Sequence, residues 1–216
     1  MGSRPAAFFR VEGAITRMGA TRCAAWFAAQ SQEFSSRLAR LGAVALSAPA
    51  ALTDATTGTR MAWMGMRGLS EDRLVVLGEE YGVEVLLPSI RPVAKDLMAR
   101  ARREGQVVVW VSDHLESVVR PVADALKVDV LLANRAEVRN GRCTGALLEP
   151  VVGRVGGVLL KDLARQHDLD LQHSAAYGAR EADIALLSSV ALPCAVHPDR
   201  GLRSAARDLD WPVVEA

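Results

Sequence analysis

The 216-residue sequence predicts an α/β protein: a three-layer sandwich with a mainly parallel sheet and an inserted helical section. Three observations carry that expectation. An apolar run, Ala6 to Val11, ends in polar residues at Gly13, the pattern of a buried strand feeding a glycine turn. From Arg91 onward, apolar runs alternate with amphipathic stretches, which implies strand–helix units joined by right-handed crossovers. Between the two, Ala14 to about Leu87 carries helical signals and no convincing strand.

In chain order, Ala6–Val11 is the first strand, bounded by Pro5 and Gly13. Arg17 to Leu41 places Ala24, Phe27, Phe34, Leu38 and Leu41 at three- and four-residue spacing, an amphipathic helix. Gly42 to Gly58 is alanine-rich with Pro49 and the cluster Thr53-Asp54-Ala55-Thr56-Thr57, so a loop or broken helix is expected there. A Met/Trp cluster follows at Met61, Trp63, Met64 and Met66; it is expected to pack inside, and to mark a partner surface only if two or more of them are exposed together. Ser70, with Glu71 and Asp72 behind it, caps a helix running to about Tyr81.

Arg91 to Arg103 is helical, with Pro92 in the first turn. Val107 to Val111 is a continuous apolar strand of the kind buried on both faces of a parallel sheet. A helix over Leu115–Leu126, interrupted at Pro121, leads to a strand at Val128–Leu132. Asn140-Gly141, between two short strands in Glu137–Leu148, marks a hairpin. Gly153 to Gly157 lacks the spacing of a phosphate loop and is taken as a connector. Then come a helix at Val158–His167, a strand at Ala175–Tyr177 and a helix at Glu181–Ser189. A strand at Cys194–His197, a helix at Leu202–Leu209 and a last strand at Val213–Val214 complete the chain.

Composition excludes several classes of function. With 50% hydrophobic and 24% charged residues the chain reads as a soluble globular protein, and a net charge of +1 gives no reason to expect nucleic acid or an anionic membrane as partner. Cys23, Cys143 and Cys194 are scattered and odd in number, which speaks against a disulfide framework or a zinc site and for a reducing, cytoplasmic location. The start lacks the apolar core of a signal peptide, Ala6 breaks the myristoylation pattern, and the apolar stretch Leu38–Leu52 is too short to span a bilayer.

The segment Phe8-Phe9-Arg10-Val11-Glu12-Gly13 resembles the first signature of the haloacid dehalogenase (HAD) superfamily, an apolar run followed by D-x-D-G-T. Val109-Trp110-Val111-Ser112-Asp113 resembles the second, a strand ending in Ser or Thr. Ala176-Tyr177-Gly178-Ala179-Arg180-Glu181-Ala182-Asp183 resembles the last, Y-G-D-S-x-x-D. Ala195-Val196-His197-Pro198-Asp199-Arg200, with Leu202 and Trp211-Pro212-Val213, is similar to the closing A-V-N-P-D-x-x-L and W-P-V of the phosphoserine-phosphatase-like branch. The resemblance covers nearly the whole chain. It implies a Rossmann-like core from residues 1–17 and 89–216 with a helical cap inserted at 18–88.

The resemblance also implies a chemistry: an aspartate nucleophile, a second aspartate as acid/base, a lysine, and magnesium held by motif aspartates. Here the nucleophile position is Arg10, the acid/base position Glu12, the metal-aspartate position Ala179, and the lysine falls near Gly156, with Lys161 aligning poorly. Ser112 and Asp183 survive. Loss of a nucleophile acting as part of a unit costs about a millionfold in turnover. The expectation is therefore a catalytically inactive pseudophosphatase without a bound metal, a non-catalytic binding, scaffolding or regulatory protein whose partner is another protein. One alternative is a metal-dependent phosphomonoester hydrolase with an atypical site built on Glu12 and Asp183. The other is a sensor holding a phosphorylated small molecule on Arg10, Ser112, Arg154 and Arg180. Against that sensor stands a structural reading in which Arg10 pairs with Glu12 and Asp183. His114 is expected to line a pocket or face solvent, His167 and His173 to sit at helix ends, and His197 near the site entrance.

Overall fold

A computed structural model describes residues 3–30, 41–42, 44–45, 47, 55–148, 150–151 and 158–215. Its centre is a seven-stranded sheet in the order β4-β3-β2-β1-β5-β6-β7. The strands are β1 (Arg4–Arg10), β2 (Val107–Leu115), β3 (Val130–Arg139), β4 (Arg142–Leu148), β5 (Leu169–Gly178), β6 (Leu192–Val196) and β7 (Val213–Val214). Every pairing is parallel except the β3–β4 hairpin at one edge. At its turn Asn140 and Gly141 both have positive φ, 50° and 68°, the conformation the Asn-Gly pair predicts.

The central strands read as unbroken apolar runs because both faces of the sheet are covered. Strand period two sends Ala7, Phe9, Val108 and Trp110 into one core, and Ala6, Phe8, Val107 and Val109 into the other. All nine residues of β2 are buried. Burying each large side chain contributes about 1.5–3 kcal/mol, so these two strands anchor the fold. The first core is roofed by α1 (Ala20–Ala29), α2 (Ala55–Met64), α3 (Glu71–Tyr81), α4 (Pro92–Arg103) and α5 (Glu116–Ala125). The second packs against α6 (Val158–Gln166), α7 (Ile184–Leu187) and α8 (Arg200–Asp208).

Several elements differ from the sequence expectation. Of Gly42–Gly58, expected as a loop or a broken helix, residues 42, 44, 45, 47 and 55–58 are helical, the last of them opening α2 at Ala55. The rest of 42–54, with Phe34 and Leu38, lies outside the described residues. Pro121 does not interrupt α5, whose last turns continue past it. Trp63 and Met66 are buried and only Met64 of the described Met/Trp cluster is exposed, at 57%, which removes the basis for a partner patch there. Ser70 caps α3 as expected, accepting from Arg73 N at 3.4 Å. Beyond α3 the helix widens into a π-type turn, Gly82–Leu86. Among the described residues no helix is long and apolar enough to cross a membrane.

The chain leaves the sheet after β1 through a tight loop: Gly13 N donates to Thr16 O at 2.7 Å and Thr16 N to Val11 O at 2.9 Å. Gly13 is obligatory here, because its φ is +99° and a Cβ would come within 2.6 Å of the Ala179 Cβ. The returning segment pairs with the departing one, Thr16 against Ile90, and Arg91 N donates to Ile15 O at 2.9 Å. These connections gather at the carboxyl ends of β1, β2 and β5, where open α/β sheets place ligands.

Candidate functional site

Parallel register sets Arg10 beside Val111, so the residues just past Val111 meet those just past Arg10. The loop after β5 closes the third side. Asp183 Oδ2 accepts from the amides of Ala179 and Arg180, both at 2.9 Å, which folds that loop back under β1. The result is a charged cluster sealed from water: Arg10 is 3% exposed, Glu12 1%, Asp113 3% and Asp183 2%.

Arg10 is spent entirely within the protein. Its Nη2 donates to Asp113 Oδ2 at 2.7 Å, its Nε lies 2.8 Å from Asp183 Oδ1, and Glu12 Oε2 stands 3.6 Å away. Glu12 is equally engaged. Its Oε1 accepts from Ser112 Oγ at 2.6 Å, Asp113 N at 2.8 Å and His114 N at 3.1 Å, and lies 2.5 Å from His114 Nδ1. Arg180, partly exposed, closes the rim through Glu12 O and Asp113 Oδ2, each at 3.3 Å.

The electrostatics follow from this crowding. Burial opposes the Arg10 charge, yet Asp113, Asp183 and Glu12 outweigh it and hold the guanidinium pKa above its ordinary value. Burial would also raise Glu12, but the hydrogen bond and charge of His114, then Arg10 and Arg180, hold its carboxyl well below the usual range. Asp113 is pushed up by burial against the pull of Arg10, with the Glu12 charge adding repulsion. A buried network of this kind is stable only while every partner is present.

Of the residues the sequence marked, Arg10, Glu12, Ser112, Ala179, Arg180 and Asp183 converge here. Arg154 and Gly156, with the whole Gly153–Gly157 connector, lie outside the described residues. Lys161 is exposed on α6 and shares a pocket with Ser3 and Leu169, so it sits by the opposite ends of the strands and cannot serve this site. The anion-holding role proposed for Arg10 and Ser112 meets a physical obstacle: Glu12 already fills the nest made by Ser112 Oγ and the two amides. The arrangement is the ion-paired one.

Of the two expectations for His114, exposure is ruled out. It is fully buried, not exposed, because it lies on the inward end of β2 against Glu12. Asp113 was the partner the sequence left unassigned; its signal was an acid directly after the motif Ser112, on the strand paired with β1. His197 has φ 45° and lines a separate pocket described below, while Cys23, Cys143 and Cys194 are buried thiols.

Magnesium does not fit the residues present. A guanidinium occupies the donor position at Arg10, Ala179 offers no oxygen from its side chain, and the Glu12 carbonyl accepts from Arg180. Among the described residues no three acids, histidines or cysteines form a metal-binding group.

A family model described as haloacid dehalogenase-like hydrolase matches residues 8–188. A probable phosphatase of Mycobacterium tuberculosis is 33% identical over 131 residues, 61% of this chain and 46% of that protein. The chain spans about half the length of curated relatives it matches. Among solved structures, a protein of unknown function from Bordetella pertussis Tohama I superposes with a TM-score of 0.83 at 23% identity, over 99% of both chains. A probable phosphoserine phosphatase from Vibrio cholerae gives 0.70 at 20% identity, over 98% of this chain and 60% of that one. At these identities the structural likeness speaks to the fold.

Proposed function

The chain belongs to the haloacid dehalogenase-like hydrolase family, and from that premise we propose that its phosphoryl-transfer centre has become a structural ion-pair core in a non-catalytic binding, scaffolding or regulatory protein. The observation that carries this is Arg10, buried at the nucleophile position between Asp113 and Asp183. A guanidinium keeps its proton under all ordinary conditions and has no lone pair to attack phosphorus. One oxygen of the carboxylate that the family resemblance assigns to acid–base work is tied down as well, since Glu12 Oε1 is held by four donors.

The family's hydrolytic character supports a second reading, a metal-dependent phosphomonoester hydrolase with an atypical site. The relatives' names, which include phosphatases, weigh toward hydrolysis and away from inactivity. On the structural side, the Glu12–His114 pair is an acid–base couple, and the buried His114 Nε2 has no hydrogen-bond partner among the described residues. One experiment separates the two readings: hydrolysis of a generic phosphomonoester with and without magnesium. The non-catalytic reading expects release at the buffer rate. Magnesium-dependent turnover that Glu12→Gln abolishes would establish the hydrolase instead.

A further inference from the structure

A second cluster of positive charge lies beyond Gly13, in a pocket of about 410 Å³ lined by Arg17, Met18, Ile90, Arg91, Val93 and His197. It is built where the segment leaving β1 meets the segment entering α4. Arg91 is pinned there: its Nε donates to Gly13 O at 3.2 Å, which commits one face of the guanidinium. Arg17 is exposed on the departing segment, and His197 reaches in from the end of β6. Arg91 is also the N-cap of α4, a twelve-residue helix with no side-chain cap and no acidic residue in its first turn. The positive end of that helix dipole therefore opens toward the same space.

What the pocket lacks is a counter-charge. Among the described residues no carboxylate pairs with Arg17 or Arg91, and Glu215, the acid that acts on His197, is itself paired with Arg203. Burial and the mutual repulsion of the group hold Arg91 and His197 below their ordinary pKa values, Arg91 through Arg17 and His197 through Arg91 and Arg17. Two uncompensated guanidiniums around one cavity, beside an imidazole that they keep from protonating, are costly unless an anion joins them.

We propose that this pocket binds a phosphate monoester, its phosphate held by Arg17, Arg91 and His197 at the start of α4 and its apolar body against Met18, Ile90 and Val93. A dianion suits two guanidiniums and an imidazolium, and Arg is the residue that grips phosphate through parallel donors. The site stands apart from the Arg10 cluster and does not depend on whether that cluster is catalytic. A bound ester would tie the chain leaving the sheet to the chain returning. Because an anion favours protonated His197, with Arg17, Arg91 and Glu215 the charges acting on it, binding takes up a proton and tightens as pH falls toward the ester's own second pKa of about 6.

The test is a two-dimensional NMR titration of the full chain with phenyl phosphate, inorganic phosphate and phenol. Phenyl phosphate should shift the signals of residues 17–18 and 89–94, inorganic phosphate should shift them more weakly, and phenol should leave them unmoved. Arg17→Ala should weaken phenyl phosphate about tenfold. His197→Asn, in which asparagine tolerates the positive φ, should abolish the tighter binding at about pH 6.5 relative to about pH 8, a range above the ester's second pKa of about 6. No shift at about 10 mM of either phosphate would overturn the proposal, given millimolar affinity as its floor. So would shifts centred on Arg10–Gly13 and Ser112–His114, or an Arg17→Ala variant of unchanged melting temperature and unchanged affinity.

Discussion

Two cationic clusters flank Gly13, and consecutive backbone carbonyls anchor them: Glu12 O takes Arg180, and Gly13 O takes Arg91. In the first, Arg10 is matched by carboxylates and closed from water, with Arg180 at the rim. Around Arg91 the positive charges face one another across an open pocket. The same residue type thus has opposite meanings on the two sides of Gly13. A compensated, buried arginine is part of the fold's interior; an uncompensated, accessible one is left for a ligand to complete.

Substitution should separate the clusters sharply. Arg10→Met leaves Glu12, Asp113 and Asp183 buried together without their cation, and is expected to cost about 3–5 kcal/mol. Urea unfolding would read this as a lower midpoint at unchanged slope. A loss below about 1 kcal/mol would mean that water or protonation relieves the carboxylates, and the cluster would cease to be structural.

Acid should probe the same region with a smaller effect. The folded Glu12 carboxyl is held below its unfolded value, so its contribution is present above the ordinary glutamate pKa and is lost as pH falls beneath it. Wild-type stability should therefore decline from about pH 5 downward. Glu12→Gln should cost about 1–3 kcal/mol at neutral pH and flatten that decline. An acid limb unchanged by Glu12→Gln would place the titrating group elsewhere. At the open cluster, by contrast, Arg17→Ala should change stability by no more than about 0.5 kcal/mol, while altering anion binding. A large destabilisation there would show that Arg17 has a structural partner after all.

Much of the fold was legible because its strands are buried on both faces. Val107–Val111 and Phe8–Phe9 have no other reading once helices alternate with them, and Asn140-Gly141 names its own turn. The first half of β5 was hidden for a physical reason. Leu169–Ser174 mixes two leucines with four polar residues, and its pairing with β1 shifts register between Pro5 and Ala7, where Ser174 Oγ accepts from Ala6 N at 2.8 Å. Alternation cannot reveal a strand that a side chain completes. In the site, Arg10 announced the conflict by its type alone, but its partner Asp113 depended on the β1–β2 register, and the burial of His114 on packing around it. The pocket around Arg91 was not legible at all, since Arg17, Arg91 and His197 come from three distant segments.

The central claim, that a guanidinium now stands where the family holds its metal, is tested most directly by magnesium titration followed by melting temperature. The wild-type chain should be unmoved at about 10 mM magnesium, since only binding to the folded state raises stability. Arg10→Asp with Ala179→Asp, which returns oxygen donors to both positions, should be stabilised by the same titration. Magnesium stabilisation of the wild type, lost in Glu12→Gln, would contradict the claim.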